Sequence, residues 1–342
     1  MTDFKALLKT PEYEFLKTNP HLGNNIILLG LGGSYAYGTN VESSDVDIRG
    51  IALNSKSDLL GMTAGFDQVV NNETDTTIYS LNKIMKLFIN MNPNTCELLG
   101  LKPEHYLYLS PIGKELLDNK KLFLSRRAQY SFGGYAFAQL RRLDNKAVRS
   151  VSQVEREQHI LNSITSAYYL LSEKYESLKD EDYINLYLDD SDQPDLDKEI
   201  FIDTHLSHYP LRDYKNIWSD MKTIISTYDK IGHRNTHAIE KNKLGKHMMH
   251  LIRLYLMCID ILEKEEINTY REKDIPFLMD IRNGKFLDNN SQPTTEFYDL
   301  IAEYEKRLQY AADNTSLPDK PNFKVIDEFL MSINERVVRG NI

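Results

Sequence analysis

Ile26-Ile27-Leu28-Leu29-Gly30-Leu31-Gly32-Gly33-Ser34-Tyr35-Ala36-Tyr37-Gly38, followed after a short gap by Ser44-Asp45-Val46-Asp47-Ile48-Arg49-Gly50-Ile51-Ala52-Leu53, decides the fold of this 342-residue chain. The compact apolar run Ile26–Leu29 carries β-branched residues and reads as a buried strand. Gly30, Gly32 and Gly33 then free the backbone for a tight turn. Ser34 is expected to cap a helical turn over Tyr35-Ala36-Tyr37, and the bare N–H groups of such a turn attract phosphate oxygens. From Asp45 to Leu53 a second strand is predicted, in which alternate residues share a face, so Asp45 and Asp47 are expected to point the same way.

Carboxylates on one face repel each other unless a cation sits between them or one is protonated. Magnesium suits the arrangement, because it is held by one or two carboxylates together with substrate phosphates, and manganese takes similar oxygen ligands. The pattern reads as equipment for metal-assisted nucleotidyl transfer, against the plainer reading of an exposed acidic strand edge after a glycine-rich turn. Arg49 either reaches the phosphates or pairs with a neighbouring acid.

At these residues the chain resembles the DNA polymerase beta superfamily of nucleotidyltransferases, whose signature is a Gly-Ser turn, Asp-x-Asp on the next strand and a third acid on a later strand. The string Gly33-Ser34-Tyr35-Ala36-Tyr37-Gly38-Thr39 with Ser44-Asp45-Val46-Asp47-Ile48-Arg49-Gly50 is similar to one branch, the predicted nucleotidyltransferases of bacteria and tailed phages. Asn92-Pro93-Asn94-Thr95-Cys96-Glu97, Ser131-Phe132-Gly133-Gly134-Tyr135-Ala136, the stretch from Lys243 to Arg253, and Ile281-Arg282-Asn283-Gly284 extend the likeness over most of the chain.

The resemblance implies an α+β fold, with a polymerase-beta-like core of a small mixed sheet and helices followed by a mostly helical C-terminal domain. It implies that Gly33 and Ser34, assisted by Arg49, hold a nucleoside triphosphate and that Asp45 and Asp47 ligate metal. For the third carboxylate Asp75, ahead of the strand-like Thr76-Thr77-Ile78-Tyr79, is the choice, with Glu73 the alternative on the same face. The implied chemistry is in-line attack of an acceptor hydroxyl on the α-phosphorus, with pyrophosphate leaving and Mg2+ or Mn2+ as cofactor.

Bulk properties agree with a soluble protein able to bury a core: 41% hydrophobic and 27% charged residues. No secretory leader or membrane-spanning run is read at the start or elsewhere, so a cytoplasmic location is expected, the host cytoplasm if the chain is phage-encoded. Cys96 and Cys258 lie in helical apolar patterns and are expected as buried free thiols. The net charge of −9 argues against a broad nucleic-acid-coating surface. Basic residues nevertheless cluster between Arg126 and Arg149 and between His233 and Arg253, while acids crowd the stretch from Glu173 to Glu199.

Residues 3–18 are expected as an amphipathic helix ending at Pro20. A catalytic domain is expected over residues 1–109, and a helical domain closing on substrate or nucleotide over 110–342. Helices are predicted over 79–91, 111–119, 125–144, 151–175, 211–228 and 236–264 and in the tail, with a β-hairpin insertion from 182–190 and 199–205. Gly133-Gly134 is expected to permit close helix packing. Lys243, Lys246, His247, His250 and Arg253 are spaced three or four apart and share one helical face. By spacing alone that is a solvated basic face with its histidines bonded in the core; the resemblance implies that Lys243, Lys246, His247 and His250 close on the nucleotide. Glu97 is either a position near the site or a structural one.

Three classes of function are compatible with these features. The leading one is a metal-dependent nucleotidyltransferase whose partners are a nucleoside triphosphate and an acceptor hydroxyl, RNA being favoured slightly over a protein or small molecule, and no membrane. The second is a catalytically silent nucleotide or nucleic-acid binder, and the third an antitoxin-like interaction factor acting through its helical half.

Overall fold

The computed structural model describes residues 4–62, 65–147, 184–191, 198–204, 241–289 and 292–341, and between them positions 154, 157–158, 161–162, 209–211, 214–219 and 221–222. Five strands form one mixed sheet: β1 (Ile26–Leu31), β2 (Ile48–Ala52), β3 (Gln68–Asn71), β4 (Thr76–Ser80) and β5 (Tyr106–Leu109), in the order β3-β4-β2-β1-β5. β2 and β4 run parallel, and the other neighbours are antiparallel. β1 lies between two strands and is buried along its whole length, which accounts for its unbroken apolar sequence.

The register of the central strands decides where the chemistry lies. Leu31 of β1 is opposite Ile48 of β2, and Ile48 is opposite Thr76 of β4. The end of β1 and the starts of β2 and β4 therefore meet at one edge, which brings Gly32, Asp47 and Asp75 together. Gly32 N–H donates to the Asp47 carbonyl at 2.8 Å, and Ile48 N–H donates to the Asp75 carbonyl at 3.2 Å.

After the short helix α1 (Gly33–Tyr37), α2 (Leu81–Ile89) buries Leu81, Ile84, Met85 and Phe88, one apolar stripe at helical spacing. The helix begins later than predicted, because Tyr79 is held in β4 and the Ser80 hydroxyl caps the first turn, accepting from Lys83 N–H at 3.1 Å. The longer helices that follow are α3 (Pro111–Asp118), α4 (Arg127–Ala147), α5 (Lys241–Lys264), α6 (Ile275–Arg282), α7 (Thr295–Asn314) and α8 (Phe323–Arg339). β6 (Ile184–Asp190) and β7 (Lys198–Thr204) form the expected antiparallel hairpin. The architecture is α+β, as the resemblance implies.

The chain divides into two compact units, one of residues 1–139, 246–285 and 295–342, the other of residues 140–245 and 286–294. Three expectations need correction or restriction. Residues 3–18 do not make one helix but short turns over Phe4–Leu7, Pro11–Tyr13 and Phe15–Thr18, since Pro11 cannot continue a helix entered from its N-terminal side. A Cβ at Gly133 or Gly134 would meet nothing within 4 Å, so these glycines do not serve close packing. Most of the predicted helix over 151–175, and all of 223–240, lies outside the described residues; the described positions 154, 157–158 and 161–162 are helical. Cys96 and Cys258 are buried free thiols, as expected. Among the described residues no helix is long and apolar enough to cross a membrane.

Candidate functional site

α1 opens at the end of β1, and Gly32, not Ser34, is its N-cap; Ser34 lies inside the first turn and makes no capping bond. Gly33 has φ +53°, and a Cβ there would run into the Asp47 carboxylate. The missing side chain is what lets an acid lie against the turn. Gly38, at φ +71°, ends α1 in a left-handed cap, and the Thr39 N–H returns to the Ser34 carbonyl at 2.9 Å.

Asp45 and Asp47 are not on a strand face. Pairing in β2 begins only at Ile48, because its partners begin or end there, at Thr76 on one side and Leu31 on the other. Asp45 is exposed, whereas Asp47 is half-buried. The neighbour of Asp47 is Asp75, which precedes β4 at φ +44°, a left-handed conformation that aspartate tolerates. Glu73 is exposed in the β3–β4 turn, its N–H donating to Asn71 Oδ1 at 3.0 Å.

Arg49 supplies the positive charge between the two acids. Its Nη2 donates to Asp47 Oδ1 at 3.1 Å and to Asp75 Oδ1 at 3.4 Å, and its Nη1 donates to the carbonyls of Asp75 at 2.7 Å and Ile48 at 3.1 Å. Of the readings open for Arg49, pairing with acids is the one observed. The Asp47 carboxyl is nevertheless pushed up to about 6, first by burial and then by its hydrogen bond with Asp75, with Arg49 and Lys246 opposing the shift. Among the described residues no cluster of three or more histidine, cysteine, aspartate or glutamate side chains is arranged to hold a metal ion.

Lys246 on α5 is exposed, and its charge acts on Asp47. His247 and His250 are half-buried on the same helix; the side chain of Lys243 lies outside the described residues. His250 Nδ1 accepts from Arg253 Nη2 at 2.6 Å. Arg253 is only 7% exposed, and its guanidinium lies 3.3 Å from the centre of the Tyr37 ring. The Tyr37 hydroxyl in turn donates to Glu97 Oε2 at 2.7 Å, and Thr269 Oγ1 donates to the Glu97 carbonyl at 2.8 Å. Burial raises the Glu97 carboxyl above the usual carboxylate range, against the Tyr37 hydrogen bond and the Arg253 charge, which lower it.

Glu97 therefore sits directly beneath the glycine turn, where a Cβ on Gly32 would come within 3.5 Å of Glu97 Oε1. Tyr37 and Arg253 are the residues that motif reading does not single out. The signal for Arg253 is its position one turn after His250 and two after Lys246, and for Tyr37 its place inside the signature turn.

Residues 10–174, just under half of the chain, match the family model RlaP, described as RNA repair pathway DNA polymerase beta family. No curated protein and no solved structure matches the chain. Over the matched segment the chain is similar to that family, which supports a polymerase beta superfamily nucleotidyltransferase and a nucleotidyltransferase-like function.

Proposed function

We propose that the protein transfers a nucleoside monophosphate from a nucleoside triphosphate to an acceptor hydroxyl, with release of pyrophosphate, in a reaction that depends on a divalent cation. The observation that carries this reading is the pairing of half-buried Asp47 with Asp75 at the sheet edge, against the Gly33 turn. Such a pair is costly without a cation, and its oxygen donors suit magnesium or manganese. Asp47 and Asp75 would hold the ion, with Asp45 as an exposed third acid nearby in sequence.

A bound divalent ion supplies charge stabilisation at the phosphate oxygens. The chain's own residues do the rest of the work. Gly33 and Ser34 present backbone at a turn with no side chain in the way, and Lys246 adds a cation on the side of Asp47. Arg49 neutralises the acid pair and is placed to contact the triphosphate. His247 and His250 complete the proposed nucleotide contacts. The family description favours an RNA acceptor over a protein or small molecule, and a cytoplasmic setting fits that acceptor.

A second reading, a silent nucleotide binder, is favoured by the closure of Arg49 over both acids and by the exposure of Asp45. The two readings part on pyrophosphate. Incubation with each nucleoside triphosphate, a divalent cation and RNA should release pyrophosphate in the wild type and not in Asp47→Asn. Metal-dependent triphosphate binding without release would establish the silent binder instead.

A further inference from the structure

Residues 214–219 and 221–222 in the second unit are helical, with Ile217 and Met221 turned inward. The outer stripe carries Leu211, Lys215, Trp218 and Lys222, spaced to share one face, with Tyr214 at its flank. Leu211 is 80% and Trp218 59% exposed, and Trp218 is the sole tryptophan of the chain. The rings of Tyr214 and Trp218 stack with centroids 6.3 Å apart and planes at 27°. Together with Leu211 and Lys215 they line an open cleft of about 600 Å³.

A buried face already exists on this segment, so the outward aromatics are not needed for its packing. Aromatic faces beside lysines are instead what an unpaired nucleic-acid strand uses, bases stacking on the rings and phosphates meeting the cations. The charge of the surrounding sequence agrees. Between positions 212 and 245 lysine and arginine outnumber aspartate and glutamate by seven to four, in a chain whose net charge is −9.

We infer that Tyr214, Lys215 and Trp218 form a stacking surface for unpaired RNA. The naming of RNA rests on the acceptor proposed above, while the surface itself is argued from its own side chains. It reads no base sequence, since every base offers a face to stack. No covalent step takes place there.

The lone tryptophan makes the test direct. The full-length protein is titrated with an unstructured oligoribonucleotide, without nucleoside triphosphate or metal, while tryptophan emission is followed. Emission should be quenched in a saturable way, with affinity falling as salt rises, and a duplex of the same length should bind more weakly. Tyr214→Ala, and separately Lys215→Glu with binding followed by the same quench, should weaken binding roughly tenfold, the scale expected for one stacked base. Unchanged emission at saturating RNA, equal binding of duplex, or variants that bind like the wild type would overturn the surface.

The same titration on Asp47→Asn separates this inference from the proposed reaction. Quenching retained in that variant supports the surface whether or not transfer occurs. Transfer to RNA by the wild type with silent Trp218 removes the surface and leaves the reaction standing.

Discussion

One guanidinium nitrogen of Arg49 joins Asp47 to Asp75 across the start of two parallel strands, β2 and β4, with Nη2 3.1 Å from Asp47 Oδ1 and 3.4 Å from Asp75 Oδ1. The parallel register that sets Ile48 opposite Thr76 places the preceding residue of each strand side by side, so the acid pair is a product of strand alignment. Each acid alone would be an ordinary surface aspartate; with Asp47 half-buried beside exposed Asp75, the pair holds a proton or demands a cation.

That pairing fixes a pH dependence. The Asp47 carboxyl titrates at about 6 in the folded protein, above the ordinary aspartate value, so between roughly pH 4 and 6 the native state binds more protons than the unfolded chain. Metal-free stability should therefore fall as pH rises through this window and level off above it. Asp47→Asn should flatten the fall and stabilise the metal-free protein at pH 8 by about 1–3 kcal/mol. Thermal unfolding from pH 4 to 8 for both proteins checks the sign.

The same proton must leave before a divalent ion binds. The rise in melting temperature caused by magnesium or manganese should be small at pH 5 and grow through pH 7. A shift independent of pH would separate the metal from Asp47.

Arg49 lies within 3.1 Å of Asp47 and 3.4 Å of Asp75. Arg49→Gln should lower the melting temperature of the metal-free protein, because like charges then face each other uncompensated. It should also tighten divalent-ion binding, read by calorimetry without nucleotide, while raising the KM for nucleoside triphosphate. Looser ion binding in this variant would mean that Arg49 does not stand in the cation's place.

Gly33→Ala puts a methyl group into the Asp47 carboxylate at φ +53°. A left-handed non-glycine residue costs about 1–2 kcal/mol, and displacement of Asp47 should reduce turnover about a hundredfold or more. A variant with full turnover would show that Asp47 need not sit against the turn.

Much of this was readable from the residues, and the limits have physical causes. Continuous apolar runs and helical spacing located β1, β4, α2 and the β6–β7 hairpin, because burial on both faces or on one stripe leaves its mark on sequence. The start of β2 was not legible, since Asp45 and Asp47 fit the alternation of a strand yet precede its ladder pairing, which starts at Ile48. Pro11 broke an otherwise helical pattern at residues 3–18. Arg253 was visible as one of a row of cations, but its burial on Tyr37 depends on segments far apart in the chain. The same holds for Glu97, which meets Tyr37 and Thr269 only through tertiary packing.

That packing carries its own expectation. Arg253→Met removes the charge that lowers the Glu97 carboxyl and the guanidinium lying over the Tyr37 ring, at a cost of about 2 kcal/mol for a desolvated cation–π contact. Exposed Lys246→Ala should leave the folding stability within about 0.5 kcal/mol of wild type and raise the KM for triphosphate instead.

The most direct test of the central claim follows label from the α-phosphate of each nucleoside triphosphate into RNA, with magnesium or manganese present. Metal-assisted transfer predicts label at an RNA hydroxyl with equal pyrophosphate released, and neither product from Asp47→Asn or Asp75→Asn. RNA and every other acceptor left unlabelled by the wild type, with triphosphate bound intact, would contradict it.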